Sequence, residues 1–161
     1  MKLKYFNEID LQNLTDYYEV DIDFKGMPLQ LDLNFGDTNI EEINLDYVKS
    51  ILADLDRTLL KVNDFIQNDY KSGEDIQEFL TFHLEELDND ELESLLSDSD
   101  KSLTKEEQLL SIIKLKRIGF YHEDNDEYAI FDFVTDEEIS QYLLVIKVNS
   151  KGELDHITME S

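Results

Sequence analysis

The side chains here that most often transfer protons or bind metals are three histidines and 39 carboxylates, and there is no cysteine. Without sulfur there are no disulfides and no thiolate chemistry. His83-x-Glu85 has the His-x-Glu spacing of zinc deaminases, but that chemistry also requires a Pro-Cys-x-x-Cys partner. Asp98-x-Asp100-x-Ser102 matches the first alternating positions of an EF-hand calcium loop. Its sixth position, where the turn needs Gly, is Leu103, and its twelfth, where calcium needs Glu, is Leu109. Asp88-x-Asp90 fails in the same way, with Glu93 and Ser99 at those positions. There is no Gly-x-Ser-x-Gly elbow, phosphate loop or dinucleotide fingerprint. Paired carboxylates for glycoside chemistry carry no information here, since 39 acids form many pairs by chance. No catalytic residue, metal ligand or cofactor site is singled out.

The histidines read as structural. His83 shares one helical stripe with Phe79, Leu80, Leu84 and Leu87, which predicts a neutral ring in the core. His122 lies in a polar turn beside Glu123, and His156 in the last strand beside Asp155. Either reads as a surface histidine with its pKa nudged upward by its neighbour and nothing more.

Charge is the strongest signal. The 161 residues carry 39 Asp and Glu against 14 Lys and Arg, a formal net charge of −25. Binding to nucleic-acid phosphates or to anionic membrane needs a positive face and is not expected. Hydrophobic residues make up 41 % of the chain, enough to build a core, so the acidity does not describe a disordered tail. From Glu74 to Asp100 there are eleven carboxylates and no Lys or Arg, densest at Asp88, Asp90, Glu91 and Glu93. Two readings fit this stretch: a solvated helical face, or a docking surface for a basic partner.

The elements that hold these groups follow from periodicity. Val20, Ile22 and Phe24, then Leu29, Leu31, Leu33 and Phe35, alternate with polar residues around Gly26-Met27-Pro28, a β-hairpin pattern. Leu3 to Tyr18 fits a further strand or a short helix. From Ile43 through Tyr47, Ile51, Leu55, Leu59, Val62 and Ile66 the period becomes helical, with Thr38 or Asn44 as the cap. Ser72-x-x-Asp75 and Thr104-x-x-Glu107 resemble caps of later helices, and Leu92, Leu95 and Leu96 suggest a further turn or two. Arg117–Tyr121, Tyr128–Val134, Tyr142–Val148 and Leu154–Met159 read as four strands joined by polar turns. Their aromatics, without interleaved basic residues, read as packing rather than a base-stacking platform. The expected fold is a single α+β domain, residues 1–161: an N-terminal β-hairpin, three to four amphipathic helices and a C-terminal four-stranded antiparallel meander.

Ile118-Gly119-Phe120-Tyr121, Glu127 to Phe133, Tyr142-Leu143-Leu144-Val145 and the ending Gly152 to Ser161 together resemble an uncharacterised bacterial family known only as a domain of unknown function. The resemblance spans about the last 45 residues and implies no catalytic residue. Small acidic α+β proteins of this look are often immunity proteins that mask a toxin's active site, an analogy of class.

Met1-Lys2-Leu3-Lys4 has the charges that open a signal peptide but no apolar run behind it, so a cytoplasmic location is expected. The expected function is a non-enzymatic cytoplasmic binding protein, an immunity or anti-toxin protein engaging a basic protein through Asp88, Asp90, Glu91 and Glu93. The alternative is a small enzyme or ligand-binding protein with its site between sheet and helices. The charge makes one physical prediction whichever holds. Self-repulsion is screened by salt, so the melting temperature should rise from near-zero to about 0.15 M NaCl, where the Debye length is about 8 Å. A flat or falling curve in thermal denaturation would show that the acids are already locally paired.

Overall fold

The computed structural model describes every residue from Met1 to Ser161. Its first residues form a two-stranded ladder, β1 (Lys2–Leu3) antiparallel to β2 (Asn7–Glu8). Tyr5 in the link and Asn7 at the start of β2 take positive φ, and Leu3, Ile9 and Leu14 anchor this segment in the core. The alternating pattern that follows does make a hairpin, β3 (Tyr17–Phe24) with β4 (Met27–Asn34). Its two-residue turn is Lys25-Gly26, both at positive φ, the mirror-type geometry that matches strand twist. Pro28 lies within β4 rather than in the turn.

A 3-10 turn (Glu42–Leu45) leads into five helices: α1 (Asp46–Ala53), α2 (Leu55–Ser72), α3 (Asp75–Glu86), α4 (Asn89–Leu95) and α5 (Lys105–Ile112). The helical stripe from Ile43 to Ile66 is therefore divided rather than continuous, and helices number five rather than three or four. The division falls at Asp54, whose φ of −145° leaves the helical region and whose Oδ1 accepts the Arg57 N–H at 3.1 Å. Asp54 thus ends one helix and caps the next. Neither Thr38 nor Asn44 is the helix N-cap: the 3-10 turn starts after Glu41, whose N–H donates to Asn44 Oδ1 at 3.0 Å, and α1 follows Leu45, whose side chain makes no capping bond. Thr104 caps α5 through the Glu107 N–H at 3.2 Å. α3 is capped from outside, by Asp69 of α2 accepting the Ile76 N–H at 2.7 Å.

The chain then returns to strands, β5 (Lys114–Tyr121), β6 (Ala129–Val134), β7 (Leu143–Val148) and β8 (Leu154–Glu160). These four form the antiparallel meander. Hairpin and meander are not separate sheets, however. β4 pairs with β5 in parallel, which fuses them into one six-stranded mixed sheet in the order β3-β4-β5-β6-β7-β8. The helical segment is the crossover that a parallel pair requires.

One face of the sheet buries Leu31, Leu33, Ile118, Phe120, Phe131, Leu144 and Ile146 with Ile51, Val62, Ile76, Phe79 and Leu80 from the helices in one apolar cluster. Phe120, Phe131 and Tyr128 are buried, and the Tyr128 O–H donates to the Asn44 carbonyl at 2.9 Å, so these aromatics are packing and no stacking surface. The fold is α+β, and no helix is long and apolar enough to cross a membrane.

Candidate functional site

The uncovered face of the sheet holds the most concentrated polar network. Asp32 of β4 is completely buried, although it lies on the side of the strand opposite Leu31 and Leu33. Arg117 of β5 covers it. The guanidinium donates through Nε to Asp32 Oδ2 at 2.6 Å and through Nη2 to Oδ1 at 2.9 Å. Nη2 also donates to the Tyr121 hydroxyl at 2.7 Å, and Nη1 to Asp132 Oδ2 of β6 at 3.1 Å. Asn34 Nδ2 adds a further donor to Asp32 Oδ1. Gly119 makes the arrangement possible, because a Cβ there would meet Arg117 Cζ at 2.8 Å.

Burial alone would loosen the guanidinium's proton, but the Asp32 and Tyr121 hydrogen bonds and the Asp32 charge reverse this and hold it more firmly than usual. Asp132 goes the other way: burial raises its pKa, and Arg117 offsets only part of that. Four guanidinium hydrogen bonds end on protein groups, so Arg117 is a structural tie rather than a free anion receptor. Sequence reading missed it. The signal was present, as single acids embedded in apolar strands (Leu31-Asp32-Leu33 and Phe131-Asp132-Phe133) facing one strand arginine.

His83 is buried, as its stripe predicts. Its Nδ1–H donates to the Phe79 carbonyl at 2.9 Å, which leaves Nε2 to accept the Ser140 hydroxyl at 2.8 Å. Burial lowers its pKa against the smaller opposing effect of the Phe79 bond, consistent with a neutral ring. The His122 expectation is corrected. Its side chain is 6 % exposed and packs edge-on to Phe35 at 5.4 Å, with neither ring nitrogen hydrogen-bonded. Burial lowers its pKa despite the charges of Glu123 and Asp37.

His156 does lie partly exposed, beside Asp155 and 3.6 Å from Glu127. These three offer ligand atoms within 4.8 Å of one another, a spacing that suits a metal ion. The cation nearest this cluster is a protein group: Lys147 Nζ donates to Glu127 Oε1 at 3.0 Å and lies 3.5 Å from Glu160.

The residues proposed for partner binding gather around α4. Asp88 caps it, Oδ1 accepting the Glu91 N–H at 2.8 Å, while Glu91 Oε1 accepts the Asp88 N–H at 3.2 Å. Asp90 and Glu93 are exposed. Asp88, Asp90 and Glu91 suit the positive end of a helix. Glu85 and Glu86, at the negative end of α3, do not. Comparison with protein-family models, curated proteins and solved structures finds no match to this chain.

Two outcomes test this description. Arg117→Met leaves Asp32 charged, buried and unpaired, so it should cost about 3–5 kcal/mol in urea denaturation. The triple change Asp32→Leu, Arg117→Met and Asp132→Leu should recover most of that, since an apolar replacement of a buried ion pair is often near neutral. A second outcome concerns acid. His83 and His122 bind protons more weakly folded than unfolded, so their stability contribution is complete above the unfolded pKa of about 6.5 and declines below it. Urea midpoints should therefore fall between about pH 7.5 and about pH 5.5, above the range where most carboxylates titrate. His122→Phe, which loses no hydrogen bond, should flatten that decline without lowering stability at neutral pH.

Proposed function

We propose that this chain is a non-enzymatic binding protein of the cytoplasm, of the immunity or anti-toxin kind, that docks a basic protein partner on the acidic surface of α3 and α4. The reading rests on one observation. None of the eleven carboxylates from Glu74 to Asp100 takes part in an ion pair. All but Glu91, which is half-buried, are exposed. Like charges at this density repel one another, and a basic partner that neutralised them would gain both affinity and a steered approach. Helix capping accounts for Asp88, Asp90 and Glu91 locally. It leaves Glu85, Glu86 and Glu93 without a stabilising role, which favours a role in recognition. The net negative charge argues against nucleic acid or anionic membrane as the partner.

Asp88→Asn, Asp90→Asn, Glu91→Gln and Glu93→Gln together keep the oxygen acceptors of the α4 cap and remove four charges. Association with a basic protein captured from the native host should slow, and its salt dependence should flatten. Stopped-flow association measured across salt concentrations decides the matter. An on-rate indifferent both to salt and to the four changes rules out acidic docking.

A further inference from the structure

One cavity is lined by no residue of the acid-rich α3 and α4. α1, α2, β6, β7 and the β7–β8 turn enclose a cavity of about 360 Å³, within the range of small-molecule sites. Its apolar lining comes from buried Ile51, Val62, Phe131 and Val148. Its polar lining includes Arg57 and Lys61, four residues apart and hence one helical turn apart on α2.

Arg57 and Lys61 make no ion pair, as is true of most of the chain's cations; what sets these two apart is that both line one cavity. Acids outnumber bases 39 to 14, and Asp54 and Asp64 sit at helix spacing from Arg57 and Lys61. Asp54 instead uses its carboxylate on the Arg57 backbone N–H. Two adjacent like charges on one helix turn are destabilising, the more so without counter-charges.

A third donor converges on them. Lys61 Nζ and Tyr47 Oη each lie 3.0 Å from the point where a Cβ of Gly152 would sit. Gly152 has a φ of +81°, a conformation that favours glycine, and the missing Cβ lets the turn come this close to both groups. The hydroxyls of Ser50 and Thr58, also in the lining, already donate to backbone carbonyls at 2.7 and 3.2 Å. Arg57, Lys61 and Tyr47 are thus the donors left for a ligand.

We infer that this cavity is a binding site for a small organic anion with an apolar body, the body on Ile51, Val62, Phe131 and Val148 and the anionic head among Arg57, Lys61 and Tyr47. Asp54 at the start of α2 repels a second negative group, which restricts the ligand to one anionic end. Carboxylate and phosphate heads share the chemistry these donors recognise. The site does not depend on the acidic surface of α3 and α4, and the fourfold change there should leave it intact.

The experiment is an NMR titration of the full ¹⁵N-labelled chain with 3-phenylpropionate, with phenyl phosphate, and with the uncharged 3-phenylpropanol. Either anion should shift the amides of Thr58, Lys61 and Gly152 saturably, and the tighter of the two identifies the preferred head. The alcohol should bind at least about tenfold more weakly, as should either anion to the Arg57→Gln, Lys61→Gln variant. Both changes are at exposed positions, so the variant's unaltered circular dichroism serves as the folding control. Gly152→Ala is avoided because its backbone conformation would strain the turn. No saturable shift at Gly152 with either anion up to millimolar concentration overturns the assignment. So does equal binding of the alcohol, or undiminished anion binding by the double variant.

Discussion

The guanidinium of Arg117 is the constraint on which the sheet depends. Four of the five neighbouring strand pairs are joined by short connections, but β4 and β5 meet only after the whole helical crossover, and they meet in parallel. Parallel pairing is slightly weaker per residue and carries the loop-closure cost of a long connection. The charge network lies across this junction, with Asp32 on β4, Arg117 on β5 and Asp132 on β6. Register places Asp32 opposite Gly119, the residue without a side chain, so the guanidinium can lie over it. A one-residue slip would turn Arg117 or Asp32 into the apolar face, where neither charge has a partner. The network therefore selects register as well as binding three strands.

With the sheet's order fixed, the helical layer has one apolar face to cover, and α1, α2, α3 and α5 bury residues against it while α4 fully buries none. The rest of each helix faces outward and can carry whatever charge function requires. That freedom explains why the acids concentrate in the crossover. The strands have less latitude: their cations pair locally, Lys147 with Glu127 and Glu160 and Lys116 with Glu137. Along α3 and α4 no cation is near enough to pair, so the repulsion persists in the folded state. Burial in the core layer must outweigh it.

What the sequence revealed follows the distance over which each interaction acts. Alternation at Leu29, Leu31 and Leu33 was legible because each side chain faces the core in turn, and the stripe carrying His83 was legible for the same reason at helical period. The break at Asp54 was not. The apolar stripe runs on through Leu52, Leu55 and Leu59, and periodicity records which face is buried, not whether the backbone is continuous. The fusion of hairpin and meander left no local trace, since Asp32 and Arg117 are 85 residues apart. His122 was misread because its neighbours Glu123, Asp124, Asn125 and Asp126 belong to a turn, while its own ring is carried back against Phe35. Nothing local in the sequence marks Arg57 and Lys61, and only the approach of the Gly152 turn to α2 sets them on a shared cavity with Tyr47.

Partners of opposite charge can coexist on this molecule because they sample its field over different lengths. A basic protein meets the whole outer face of α3 and α4 and responds to the sum of its charges, so its encounter is steered at long range. A small anion at the α2 cavity is repelled at that range by the same excess of carboxylates. At an ionic strength of about 0.15 M, charges farther than about 8 Å away are largely screened. In the cavity lining the anion meets Arg57, Lys61 and the Tyr47 hydroxyl, and Asp54 is the one carboxylate there. Salt then acts with opposite sign at the two places: it weakens the steering of a basic protein and relieves the repulsion that a small anion must cross. An excess of one charge over a whole chain thus does not settle the sign of each of its sites. That sign is set by which charges the fold gathers at one place, as it gathers Arg57 and Lys61 in the lining of one cavity.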